Sequence, residues 1–249
     1  MQSIVVTGAA GGLGRAVVDE FLDRGWLVGA YDLEGPDMAE HPNLIVGRLD
    51  VTDPDAWDAA LAEFHARAGR IDVVDNNAGL IIDGPLPAAD PEKIRQLIEV
   101  NATGVTLGAR AAFPYLRETR GTLVNMASAS AIYGQPGIAA YSATKFYVAG
   151  LTEALNLEWK KDKVRVVDVW PLWAKTSLAD NGAASVKRLG VRITPEDVAE
   201  VVWTAANPRT RWARGKVHYG VSRLDKLMYL GRSLAPDRVT KNLARLLAR

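Results

Sequence analysis

The feature that most constrains this 249-residue chain is a regular alternation of short β-branched runs with longer stretches of helical period, sustained to about residue 206. "SIVVTG" is followed by "RAVVDEFLDRG", whose helical spacing runs to Gly25, a glycine stop. "WLVGAYD" and "NLIVGRLD" then read as strands, "PDAWDAALAEFHARAG" as a helix, "IDVVDNNAG" as a strand and "PEKIRQLIEVNATGVTLGARAAFPYLRE" as long helical material. "GTLVNMAS", "YSATKFYVAGLTEALNLEW" and "VRVVDVWP" continue as strand, helix and strand. Strands alternating with helices predict an α/β fold whose mainly parallel sheet is covered by helices on both faces. Right-handed crossovers make that sheet doubly wound and put ligands beyond the carboxyl ends of its strands.

No linker, repeat or low-complexity tract breaks the pattern, so a single domain is expected, and doubly wound folds reach this length with one core. Apolar residues at 48% and charged residues at 24% are those of a globular protein. The absence of cysteine excludes disulfides and thiolate metal sites, and His41, His65 and His218 form no ligand cluster, so no metal is expected. "MQSIVVTGAA" has neither a basic leader nor a long apolar run, which gives a cytoplasmic expectation. The net charge of +1 hides an asymmetry: from Pro208 onward eleven Lys/Arg face two Asp, a balance of +9, which leaves −8 for residues 1–207.

Three motifs carry chemistry. In "VTGAAGGLGR", Gly8, Gly12 and Gly14 stand between the first strand and the first helix. Glycines there allow a tight turn and close approach of backbone to a pyrophosphate, which the helix N-terminus attracts with free amides and partial positive charge. Asp32 ends the second strand, 18 residues after Gly14. A carboxylate in that place binds the ribose hydroxyls of NAD and repels the 2′-phosphate of NADP; the bland alternative is a turn residue. In "YSATK", Tyr141 and Lys145 are four apart and share a helix face. An ammonium beside a phenol favours the phenolate, and such a pair suits proton transfer at an alcohol oxygen.

These motifs occur together with "LDVTD", "NNAG" at Asn76–Gly79, "VNATG" with Asn101, and Ser128 thirteen residues before Tyr141. In this order and spacing, over residues 1 to about 205, the chain resembles the short-chain dehydrogenase/reductase family. The resemblance implies a Rossmann-like fold and hydride transfer between NAD and a carbinol carbon. It implies Tyr141 as general acid/base, Lys145 as the group that lowers its pKa and holds the nicotinamide ribose, and Ser128 as the hydroxyl that polarises the substrate oxygen. Asn101 would hold a water linking Lys145 to solvent. The cofactor would be lined by Gly8, Gly12, Leu13, Gly14, Asp32, Asp50, Val51, Asn77, Ala78, Gly79, Tyr141, Lys145, Pro171 and Thr176. Residues 1–207 would form the NAD-binding catalytic domain and 208–249 a basic extension of the same domain, carrying a last strand and amphipathic helices.

The chain also departs from the family pattern. Leu172 replaces the glycine after Pro171, so a glycine-only backbone angle there must have relaxed. Asp75 replaces an aliphatic residue near the end of a buried strand, where a surface or helix-cap partner is expected for it. Residues 177–191 read either as a lid or as a polar connection, ahead of a helix that Thr194 caps with Pro195 at its first position. "DRVTKNLARLLAR" is a basic amphipathic helix that suits a membrane surface, with insertion of residues 227–230, or packing on this domain or another subunit. Nucleic acid is not an expected partner. A homodimer through residues 91–117 and 141–159 is expected, with a tetramer as the alternative.

The substrate side is read from "GLIIDGPL", "AIYGQPG" and "PLWAKT". Leu80, Ile81, Ile82, Ile132, Tyr133, Leu172 and Trp173 would surround the reacting centre with Ser128 and Tyr141. Sparse polar groups favour a hydrophobic alcohol or ketone of steroid, terpenoid, retinoid or fatty type. Trp170 is expected in the core or as a pocket floor and Trp173 as a substrate wall. The competing function is a non-catalytic NAD(H)-binding regulator or scaffold, which would need the glycine turn and Asp32 but no phenol.

Overall fold

In the computed structural model, residues 1–176, 190–191 and 193–234 are described. Among the described residues seven strands form one sheet, β1 (Ser3–Thr7), β2 (Leu27–Asp32), β3 (Leu44–Arg48), β4 (Val73–Asn76), β5 (Thr122–Met126), β6 (Arg165–Trp170) and β7 (His218–Gly220). Their order is β3-β2-β1-β4-β5-β6-β7 and every neighbouring pair is parallel. The order reverses at β1, so a crevice opens between the carboxyl ends of β1 and β4, the place where such sheets take their ligands.

Local chemistry explains the elements. β1 is buried along its whole length, as a central parallel strand must be. The helix α1 (Gly12–Asp23) starts at the extended Gly11 without a side-chain cap, leaving its first amides free toward the crevice. α2 (Pro54–Ala68) is capped by Asp53, whose carboxylate accepts from the Asp55 amide, and stops at the left-handed Gly69. α3 (Pro91–Ile98) runs through a widened π-helical turn, Glu99–Gly104, into α4 (Val105–Thr119). α5 (Ala139–Glu158) carries "YSATK" in its first two turns. α6 (Pro195–Ala206) has the expected Thr194 cap, reciprocated by Asp197 onto the Thr194 amide. A short α7 (Arg211–Arg214) precedes β7, and α8 (Arg223–Leu234) follows it.

The sheet separates two cores. Ile4, Val6, Val124, Val167 and Val169 face α1 and α6, which pack against each other. Val5, Val74, Leu123 and Val166 face α2 and α4. A third cluster joins Ala127–Tyr133, Val148, Trp170 and Met228, and so ties α8 to the loop after β5. β7, within residues 208–249, pairs parallel with β6 in this sheet. Met228 is buried, and no described helix is long and apolar enough to cross a membrane. The lid or connection expected over residues 177–191 lies outside the described residues except for Gly190 and Val191, and the amphipathic helix expected over residues 237–249 lies wholly outside them.

Asp75 requires a correction. It pairs in register with Val6 and Val124, so its side chain enters the apolar layer under α1 and α6. It is fully buried, and neither carboxylate oxygen has a hydrogen-bond partner among the described residues, where a cap or surface partner was expected. Burial pushes its pKa from 3.8 up to about 8. The group solves the cost of burial by keeping its proton instead of finding a partner.

Candidate active site

A cleft of about 410 Å³ runs along the carboxyl edge of the sheet. One end is built from the turn after β1. Gly8 and Gly12 have φ of +67° and +56°, and a Cβ on Gly8 would stand 2.8 Å from the Ala78 Cα. Only glycine holds that turn. Asn77 locks it to β4, donating from Nδ2 to the carbonyls of Thr7 (2.8 Å) and Gly8 (3.3 Å). Thr7 Oγ1 accepts in turn from the amides of Asn77 and Ala78, each at 3.1 Å. Gly14 does not line the cleft; its role is packing, because a Cβ there would lie 2.1 Å from the Gly8 carbonyl oxygen.

Asp32 and Asp50 reach the cleft at the ends of β2 and β3. Asp32 accepts from the amides of Ala10 (2.9 Å) and Leu33 (2.8 Å), so the carboxylate also braces the glycine turn. Asp50 is oriented by the Thr52 amide and hydroxyl at 2.9 and 2.7 Å. Val51 lies beside them, its carbonyl held by the Trp57 indole at 3.0 Å. A cradle of positive-φ glycines, the open start of α1 and a carboxylate one strand away fits a dinucleotide.

Ser128, Tyr141 and Lys145 converge at the other end. Lys145 Nζ donates to the Met126 carbonyl at 2.7 Å and stands 5.6 Å from the centre of the Tyr141 ring. Asn101 sits just behind, in the π-helical turn. Its side chain accepts from the Leu80 amide (2.8 Å) and donates to the Leu80 carbonyl (2.9 Å) and to Thr144 Oγ1 (3.2 Å). The widened turn rotates Asn101 inward to make these bonds. Gly79 leaves a gap beside it: a Cβ there would be 3.4 Å from Asn101 Oδ1 and 3.7 Å from Lys145 Nζ.

Electrostatics differ from what adjacency alone suggests. Burial pushes Tyr141 up to about 12, against a hydrogen bond with Ser128 that lowers it. Burial also pushes Lys145 down to about 8. Burial is the larger effect on both groups, because they share one dry environment. At neutral pH the pair holds a phenol and an ammonium, the donor form that protonates a carbonyl oxygen.

The roof is Pro171–Ala174 with Thr176, and Thr176 lies 3.5 Å from where a Gly12 Cβ would be. Among the described residues only Arg120 and Lys163 are non-glycines at positive φ, so Leu172 has indeed relaxed the angle. Trp173 lines the cleft and packs with Leu97, Ile138 and Tyr141. Leu80 and Ile81 line it as well, and Ile82 joins the Trp173 cluster. Ile132 and Tyr133 do not line it. They are buried beside Trp170 and Met228, where the Tyr133 hydroxyl donates to the Met228 carbonyl at 3.4 Å. Trp170 is likewise core. Sequence reasoning missed Gln96, Val100, Ser130 and Gln135, of which Gln96, Ser130 and Gln135 give the cleft more polar groups than expected. Gln96 and Val100 are four apart, a helical spacing that would have signalled them; Gln135, held through its side chain to Ser130 Oγ at 3.1 Å, lies in the "AIYGQPG" stretch but was not singled out within it.

Residues 2–186 match the family model described as short chain dehydrogenase. A meso-2,3-butanediol dehydrogenase of Serratia marcescens is 30% identical over 226 residues, covering 85% of this chain and 90% of that protein. Among solved structures, a short chain dehydrogenase from Burkholderia cenocepacia in complex with NADP superposes with a TM-score of 0.81 at 26% identity, covering 100% of both chains. A 3-ketoacyl-(acyl-carrier-protein) reductase from Brucella melitensis complexed with NADH gives 0.78 at 26% identity, covering 88% of this chain and 96% of that one.

Proposed function

Because the chain belongs to the short chain dehydrogenase family and is an oxidoreductase of alcohols and ketones, we propose that it uses NAD to interconvert a hydrophobic secondary alcohol and its ketone, with Tyr141 as general acid/base. The observation that carries the reading is the convergence of Ser128, Tyr141 and Lys145, backed by Asn101, at one end of a cleft whose other end is the glycine cradle. When bound, the nicotinamide cofactor supplies the carbon that takes up or releases the hydride.

The chain does the rest. In reduction the Tyr141 hydroxyl gives its proton to the substrate oxygen; in oxidation the phenolate takes it back. The Lys145 ammonium stabilises the phenolate, and the Ser128 hydroxyl holds and polarises the substrate oxygen. Asn101 and Lys145 both lie beside Gly79, which supports Asn101 as the holder of a water that links Lys145 to solvent. Gly8, Gly12, Asp32, Asp50, Val51 and Asn77 hold the cofactor, while Leu172 and Trp173 keep water from the reacting end. NAD is favoured over NADP because Asp32 meets the adenosine ribose end and no arginine or lysine lines that part of the cleft among the described residues. An apolar substrate is supported by Leu80, Ile81, Val100, Leu172 and Trp173. Exposed Phe146, Tyr147 and Leu157 on α5 support the expected homodimer.

A panel of hydrophobic secondary alcohols with NAD, followed as NADH absorbance, tests the reading. Tyr141→Phe should lower kcat by about 10²- to 10⁴-fold while cofactor binding stays intact. Unchanged turnover in that variant refutes the catalytic assignment, and cofactor binding without turnover of any alcohol or ketone favours the regulator.

A further inference from the structure

Outside the catalytic group the molecule carries a second buried set of ionisable side chains. Asp168 on β6 is fully buried on the α5 face, and its register partner on β7 is His218. His218 Nδ1 lies 2.8 Å from Asp168 Oδ1, and Nε2 lies 3.1 Å from Glu153 Oε1 on α5. The imidazole thus links β6, β7 and α5 at a three-residue edge strand that has few ladder bonds of its own. The other Asp168 oxygen faces the Trp170 indole without completing a hydrogen bond.

What rests on this set is the substrate end of the cleft. The His218 ring packs 4.8 Å from Trp170 and 5.5 Å from Tyr229 of α8, and those two aromatics meet edge-on at 5.1 Å. Trp170 leads directly into the Pro171–Trp173 roof. The Ala129 amide, next to Ser128, donates to the Pro171 carbonyl at 3.0 Å, and Tyr133 bonds to Met228 on α8. Both loops that carry the substrate side therefore lean on β7 and α8, whereas the glycine cradle stands on β1 and β4.

We propose that the Glu153–His218–Asp168 bridge is a positioning clamp that sets the substrate-side loops of the cleft and leaves the cofactor side untouched. This rests on the reading of the Trp173 end as the substrate's. The titratable groups acting on the ring are Asp168 from β6, Glu153 from α5 and Tyr229 from α8; Asn125, beside Asp168 on β5, is neutral and donates to Thr152. Burial opposes charge on the ring, but the hydrogen bond and charge of Asp168, followed by those of Glu153, outweigh it and keep the proton above the ordinary value of 6.5. The clamp is complete below that value for as long as Asp168, whose own pKa burial raises, stays ionised; it is lost as the pH rises through the folded His218 pKa and again as the pH falls through that of Asp168.

Nuclear magnetic resonance tests this without turnover. The Trp173 indole N–H signal, assigned with Trp173→Phe, should titrate together with the His218 imidazole. Lys145 titrates near the same end, so Glu153→Gln is the discriminating variant: Glu153 is 64% exposed and its change leaves the core intact. Both inflections should then move together to lower pH. For any substrate the panel finds, KM should rise about 3- to 10-fold as His218 loses its proton, with kcat and the cofactor Kd unchanged. An indole signal that ignores the His218 titration, or one that stays put when Glu153→Gln moves the imidazole, overturns the clamp. A failure of the dehydrogenase reading is seen separately, as absence of turnover or an active Tyr141→Phe variant.

Discussion

Asp75 gives the most quantitative test of how burial governs this protein. Its carboxyl has pKa 3.8 when solvated and about 8 in the folded chain, so between those values the folded state keeps a proton that the unfolded state releases. The unfolded state then binds fewer protons, and stability falls as pH rises, by about 1.4 kcal/mol per pH unit, from near pH 4 to near pH 8. From 3.8 to 7 is roughly three units, which puts the ionisation cost at about 4 kcal/mol at neutral pH. Two variants separate the contributions. Asp75→Asn keeps the shape and removes the titration, and Asp75→Val restores an apolar contact with Val6 and Val124 in the layer under α1 and α6. Urea unfolding at several pH values should show each variant gaining on wild type steadily from pH 4.5 to pH 7.5. At pH 7 the gain should raise Tm by about 8–16 °C, at roughly 2–4 °C per kcal/mol for a chain of this size. A stability difference between wild type and Asp75→Asn that is the same at pH 4.5 and pH 7.5 refutes the reasoning, because it would mean that the carboxyl titrates alike in both states.

Three further outcomes follow from the cleft. Asp32→Ala should weaken NAD binding and move the NADP-to-NAD preference toward NADP, and should cost about 1 kcal/mol of stability through the lost Ala10 acceptor; cofactor titrations and urea curves measure both. Gly14→Ala places a Cβ 2.1 Å from the Gly8 carbonyl oxygen, so thermal unfolding should reveal a loss of about 1–3 kcal/mol or more and calorimetry a loss of cofactor binding. Trp173→Ala should raise substrate KM or change substrate preference while leaving the cofactor Kd within about twofold, since it removes one wall of a cleft whose cofactor end stands on other strands.

Much of this site was legible in the order of residues because its parts are local. A glycine turn between a strand and a helix, a tyrosine and lysine one helical turn apart, and a serine after the preceding strand each declare their geometry within a few positions. The departures were legible as departures: Leu172 and Asp75 both stood out. Their consequences were not. Tyr133 and Trp173 look equally fit to line a pocket in a loop, and only the packing of α8 against Tyr133 separates them. The direction of the Tyr141 shift depends on how much water surrounds it, a property of the whole enclosure that the spacing of "YSATK" does not carry.

The sequence by itself determined the doubly wound sheet, the glycine turn after its first strand and the tyrosine–lysine pair proposed for catalysis, because period, glycine placement and i,i+4 spacing are short-range facts. Only the tertiary structure decided which charges are buried and with whom. Strand register lines up Asn76, Asn125, Asp168 and His218 across four strands, from positions up to 142 residues apart, and the same packing leaves Asp75 alone among valines. Burial and pairing arise where distant segments meet, so the groups most perturbed in this protein are those whose neighbours the linear order does not show.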